Sequence, residues 1–77
     1  MYVLKETISK NEDIISQADI FKGSYEETQA QMEAKAKADW KATEGIMCEI
    51  KHDEDYYSRV ENETLNWYRL DIRWEDD

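Results

Sequence analysis

The sequence predicts an α+β domain, an antiparallel sheet of order ββαββ with one long helix packed on one face. Three observations carry this expectation. Ser24-Tyr25-Glu26-Glu27 forms a capping box that opens a run of strong helix formers ending at Gly45. Beyond Gly45 the apolar spacing changes from a helical period to a period of two. Ahead of the capping box lie two strand-like stretches, separated by Ser9-Lys10-Asn11-Glu12-Asp13, a polar connection of hairpin length.

The first stretch, Tyr2 to Ile8, places Tyr2, Leu4 and Ile8 on one parity. The second, Ile14 to Phe21, sets Ile14, Ala18 and Ile20 against Gln17 and Asp19. A helix from Asn11 to Phe21 competes with this reading. It would have to end just before Ser24 starts another, and the β-branched residues cluster here, so two strands are the better account. In the helix, Ala30, Ala34, Ala36, Ala38 and Ala42 raise the propensity, and Gly45 stands where a left-handed C-terminal cap needs it. At about 100° per residue Tyr25, Met32, Ala36, Trp40 and Thr43 share a packing face, with Glu26, Glu33, Lys37, Lys41 and Glu44 on a wet one. Glu33 and Lys37 form an i, i+4 pair in the favourable order, contributing about 0.3–0.5 kcal/mol.

After the helix, Ile46, Cys48 and Ile50 alternate with Met47, Glu49 and Lys51, and Tyr68, Leu70, Ile72 and Trp74 alternate with Trp67, Arg69, Asp71 and Arg73. Two strands with one buried face each explain both runs. His52 to Thr64 is too polar for a regular core strand and reads as a long loop, with room for a helical turn from Tyr56 to Val60. No Pro/Gly-rich linker divides the chain, so residues 1–77 are expected to form one small domain. A domain of this size buries only about 60% of its unfolded surface, which leaves room for one core and modest stability.

Composition excludes several functions. Nineteen acids against ten bases give a net charge of −9, and from Ile46 to Asp77 there are ten acids and only four bases. Such a field repels nucleic acid and membrane surfaces and attracts basic protein surfaces. No stretch approaches the roughly 18 apolar residues of a membrane span, and the N-terminal apolar run is too short for a signal peptide. A single cysteine, Cys48, precludes an internal disulfide and fits a reducing compartment, so the expectation is a cytoplasmic protein without a membrane anchor.

Candidates for chemistry fail one by one. His52 beside Asp53-Glu54-Asp55 suggests a general base or a metal cluster, but a catalytic pair needs a third group that sequence alone does not supply, and a solvated loop histidine is the expected reading. Read as a calcium loop, Asp53-Glu54-Asp55 puts Tyr57 where an oxygen ligand belongs, lacks the bend glycine and places Thr64 at the twelfth position. Cys48 has no Cys-x-x-Cys partner and reads as a small core residue. With only Gly23 and Gly45 there is no phosphate-binding glycine loop. The expectation is a non-enzymatic protein with no cofactor and no metal.

What remains is binding. The carboxylates of Asp53, Glu54, Asp55, Glu61, Glu63, Glu75, Asp76 and Asp77 are candidates to occupy sites that phosphates otherwise fill, with Tyr56, Tyr57 and Trp67 as apolar anchors. Trp67 either contacts a partner or covers the open sheet face by packing on Val3, Ile15 or Met47. Aromatics interleaved with acids disfavour direct DNA or RNA binding. In size, acidity and the loop Asp53-Glu54-Asp55-Tyr56-Tyr57, the chain resembles the small acidic inhibitors that phages encode against bacterial defence systems, the anti-CRISPR and antirestriction proteins. The resemblance implies an inhibitor or nucleic-acid mimic acting in the bacterial host cell on a basic, nucleic-acid-binding protein such as a CRISPR-Cas effector. It transfers no individual residue. The competing expectation is a small interaction protein of a mobile element that forms a homodimer through its open sheet face or an edge strand, its acidity serving solubility alone.

Overall fold

The computed structural model describes residues 1–76 and shows an α+β fold. Strands β1 (Tyr2–Lys10) and β2 (Asp13–Gly23) form a hairpin, helix α1 (Tyr25–Ala42) follows, and β3 (Cys48–His52), β4 (Tyr56–Glu61) and β5 (Trp67–Trp74) complete the chain. All pairings are antiparallel, and the sheet order is β2-β1-β5-β4-β3. The hairpin turn uses the left-handed region at Asn11 and Glu12 (φ 54° and 72°), and the stretch that follows is strand β2 from Asp13 rather than the alternative helix.

The expected loop from His52 to Thr64 is corrected: it contains β4, which is neither loop nor helical turn and fits between β3 and β5 as a fifth strand. Its inward residues are Tyr57, Arg59 and Glu61, a polar set that conceals a strand in the sequence. The charge is met from the helix. Asp39 accepts from Arg59 Nε at 2.7 Å, Arg59 Nη2 at 3.1 Å and the Tyr57 hydroxyl at 2.8 Å, while Arg59 Nη1 reaches Glu61 at 3.1 Å. Burial and the bond to Asp39 push the Tyr57 phenol upward.

The capping box forms as expected, with Glu27 N donating to Ser24 Oγ and Ser24 N donating to the Glu27 carboxylate. Gly45 takes the left-handed conformation at φ 89°, just beyond the C-cap Thr43. The packing face is rotated from the one expected. Thr28, Met32 and Ala36 are buried and Asp39 follows them, whereas Trp40 is 60% exposed and Tyr25 is half-buried. Leu4, Met32, Ala36, Tyr57, Tyr68 and Leu70 make the core, with Ile8, Ile20, Phe21 and Ile72 against it. Tyr68 donates to Glu6 at 2.5 Å, which satisfies its hydroxyl inside this layer.

The helix packs over β1, β5, β2 and β4; β3 lies outside its footprint. Cys48 is therefore only half-buried, and Ile46 and Ile50 remain exposed, against the expectation that this run packs inward. On the opposite face no helix or strand among the described residues covers the sheet. There the Arg73–Asp19 ion pair (3.3 Å), from β5 and β2, spans the intervening β1, where Val3 is fully buried.

Candidate functional site

The register brings Gly23 of β2, Tyr2 of β1 and Trp74 of β5 into one row at an end of the sheet, and α1 begins there. Tyr25 and Trp74 each pack edge-on against Tyr2, at centroid distances of 5.1 and 5.0 Å. Edge-to-face aromatic pairs of this kind contribute about 0.5–1.5 kcal/mol beyond their burial. The β3–β4 turn folds onto the same row: Ile72 N donates to Asp55 O at 2.8 Å, and Gln29 Nε2 donates to Glu54 O at 3.4 Å.

Carboxylates terminate this aromatic row at both ends. The Tyr25 hydroxyl donates to Asp55, and Trp74 Nε1 donates to Asp76 at 3.0 Å. Asp53 accepts from Glu54 N at 2.7 Å, and Glu26 and Glu54 stand exposed alongside. Asp53, Asp55 and Asp76 are thus oriented by neutral donors, which fix the carboxylates without cancelling their charge. The bond to Asp55, with some burial and the negative charge of Asp55 and Glu54, pushes the Tyr25 phenol up to about 12, so at neutral pH it remains a donor.

The expected partner-binding residues do not form one surface. Asp53, Glu54, Asp55, Glu75 and Asp76 collect at this end, although Glu75 is drawn toward Lys22 (3.9 Å) and Arg73 (3.8 Å). Glu61 and Glu63 lie at the other end of β4; Glu61 is committed to Arg59, while Glu63 is exposed. Tyr57 is fully buried, which removes it as an anchor, because the even spacing of β4 turns it toward α1. Its neighbour Tyr56 faces the open side, half-buried under the Arg69 guanidinium at 5.4 Å. Trp67 is also on the open side, half-buried in a shallow depression with Ser58, Val60, Lys51 and Arg69. The strand register sets it opposite Ser9 of β1 and Val60 of β4. Asp77 lies outside the described residues.

His52 is the last residue of β3 rather than a loop histidine; its Nε2 lies 3.0 Å from Glu33, and its ring packs edge-on against Tyr57. Among the described residues no group of three His, Cys, Asp or Glu side chains is arranged to hold a metal ion. Among the described residues no helix is long and apolar enough to cross a membrane.

Trp74, Tyr2, Tyr25 and Glu26 belong to this surface and were not expected there. The alternation of β5 assigns Trp74 to the core face, and it does share that face. It is the terminal strand residue, however, and is 60% exposed. The sequence signal was its position four residues beyond Leu70, the last fully buried residue of the strand. Comparison with known proteins found no matching family model, curated protein or solved structure.

Proposed function

We propose that the chain is a non-enzymatic protein-binding module that docks this acidic, aromatic end on the basic, nucleic-acid-binding surface of another protein. It acts there as an inhibitor or nucleic-acid mimic, in the manner of the phage-encoded inhibitors of bacterial defence systems that it resembles. The observation that carries the reading is the set Asp53, Asp55 and Asp76, held in place by neutral hydrogen-bond donors. Carboxylates already oriented lose less entropy on meeting a guanidinium or ammonium, and their uncancelled charge speeds association. The exposed face of Trp74 between them suits an arginine or lysine side chain, which pairs with a carboxylate and a ring together. The same field repels phosphates, so the partner is a protein rather than DNA or RNA.

The test is capture of bound proteins from nuclease-treated bacterial lysate on the immobilised chain, at low and high salt. The reading expects a nucleic-acid-binding protein that added single- or double-stranded nucleic acid displaces. Replacing Glu54 and Asp76 by lysine, together with Trp74→Ala, is expected to weaken that complex by at least about 100-fold, since each charge or aromatic anchor contributes about 1–2 kcal/mol. Binding unchanged by these substitutions in a folded variant refutes the proposal.

A further inference from the structure

Both edges of the sheet are open, but they are not equivalent. Strand β2 departs from regular pairing at two places, where Ile15 and Ile20 are extra residues opposite β1. Bulges of this kind twist an edge and obstruct the approach of another strand. Strand β3 pairs with β4 in unbroken register from Cys48 to His52, so its free edge is regular. Met47 O accepts from Asn62 N and Asp53 N donates to Tyr56 O, so odd-numbered residues bond toward β4. The backbone groups of Cys48, Ile50 and His52 consequently point out of the sheet.

The side chains beside this edge favour one arrangement. Ile50, Cys48 and Ile46 lie on the helix side of β3, beside α1 rather than beneath it, and with Trp40 of α1 they line a groove of about 480 Å³. Glu49 and Lys51 face the open side, both exposed and neither in an ion pair among the described residues.

We propose that β3 pairs antiparallel with β3 of a second copy about a two-fold axis at Ile50, joining the two sheets into one of ten strands. In this register Ile50 meets Ile50 of the other copy, and Cys48 meets His52; these are the residues whose backbone groups point outward, so every pairing is hydrogen-bonded. Glu49 then faces Lys51 of the other copy, twice by symmetry. These are the non-hydrogen-bonded positions, where opposite side chains come closest. Shifting the register by two residues sets Glu49 against Glu49 or Lys51 against Lys51, so charge selects the arrangement. On the helix side the two grooves merge across the seam, and the Trp40 and Ile46 of each copy gain apolar neighbours. Trp74 and Asp76 of each copy, at the end of β5, remain free, while the Asp53-Glu54 turn of each lies at an end of the seam.

The test is sedimentation velocity at about 0.15 M salt, from about 1 μM to about 1 mM chain, where the net charge is well screened and a weak dimer is populated. The wild type is expected to shift from monomer to dimer across this range. Glu49→Lys alone and Lys51→Glu alone each place like charges in both symmetric positions and are expected to weaken the dimer by at least about tenfold. Mixing the two variants restores opposite charges at both positions and is expected to give a heterodimer at least as tight as the wild-type dimer. Both positions are exposed, and circular dichroism confirms that the variants fold. A wild type that stays monomeric at about 1 mM, a dimer indifferent to both reversals, or a mixture that fails to associate each overturns the proposal.

Discussion

Replacing Asp39 by alanine removes the carboxylate that joins α1 to β4. Arg59 loses two hydrogen bonds, at 2.7 and 3.1 Å, and Tyr57 loses the acceptor of its hydroxyl. The Arg59 and Asp39 side chains are only 10% and 12% exposed, so water cannot fully substitute for the lost partner. Breaking a buried ion pair from one side typically costs about 3–5 kcal/mol. Glu61 still holds Arg59 Nη1 at 3.1 Å, which places this loss near the lower end, while the orphaned Tyr57 hydroxyl adds about 1 kcal/mol. The sum is about 4 kcal/mol, or about 16–32 °C in Tm for a domain of this length. Urea unfolding followed by circular dichroism and tryptophan fluorescence measures it. Tyr57→Phe serves as a reference, since it removes a single hydrogen bond and is expected to cost about 1 kcal/mol. Asp39→Leu combined with Arg59→Met should be less damaging than Asp39→Ala, because the charge then left without a partner is Glu61, which is 20% exposed, rather than the more deeply buried Arg59. A loss below about 1 kcal/mol for Asp39→Ala would refute the claim that this network is shielded from water and joins the helix to the sheet.

Two further outcomes follow from the same structure. Tyr57 and Tyr68 are pushed upward by burial and by their bonds to Asp39 and Glu6, so the folded state keeps protons that the unfolded state releases. Their contribution is complete below the ordinary tyrosine value of about 10 and is lost as pH rises beyond it; a native ultraviolet titration should show both phenols ionising only together with unfolding, and ionisation of either in the folded chain would contradict this. Ser24→Ala removes the acceptor of Glu27 N and half of the capping box, with an expected cost of about 1 kcal/mol or about 4–8 °C in Tm; an unchanged melt would show that the helix start is fixed by tertiary contacts alone.

The elements written in local chemistry were legible in the sequence. The capping box fixes the helix start, and strict alternation from Tyr68 to Trp74 marks β5. Strand β4 was hidden because two of its three inward residues, Arg59 and Glu61, are charged, and the counter-charge comes from Asp39, twenty residues away in the chain. The same pairing misdirects the helix face: hydrophobicity ranks Trp40 above Asp39, yet Asp39 is the one turned inward. Once β4 is a strand, Tyr56 and Tyr57 must point to opposite sides, which separates a surface residue from a core residue that composition alone cannot distinguish. The acidic turn Asp53–Asp55 was visible as charge. Its neutral donors Tyr25 and, for Asp76, Trp74 come together only through the strand register.

Geometry explains why so much apolar surface remains uncovered. Five strands span about 19 Å between the outer axes, whereas a helix with its side chains is about 10–12 Å across. One helix laid over the middle of such a sheet cannot shield both flanks, and among the exposed apolar residues are Trp40, Ile46 and Ile50 beside β3, Ile14 and Ile15 on β2, and Trp74 at the end of β5. The described residues contain no second helix to close the gap. The two surfaces nevertheless differ in character. Beside β3 the exposed residues are apolar and the charges are balanced, which suits a second copy of the same chain. Around Trp74 the apolar surface is edged with oriented carboxylates, which repel another copy and favour a cationic partner.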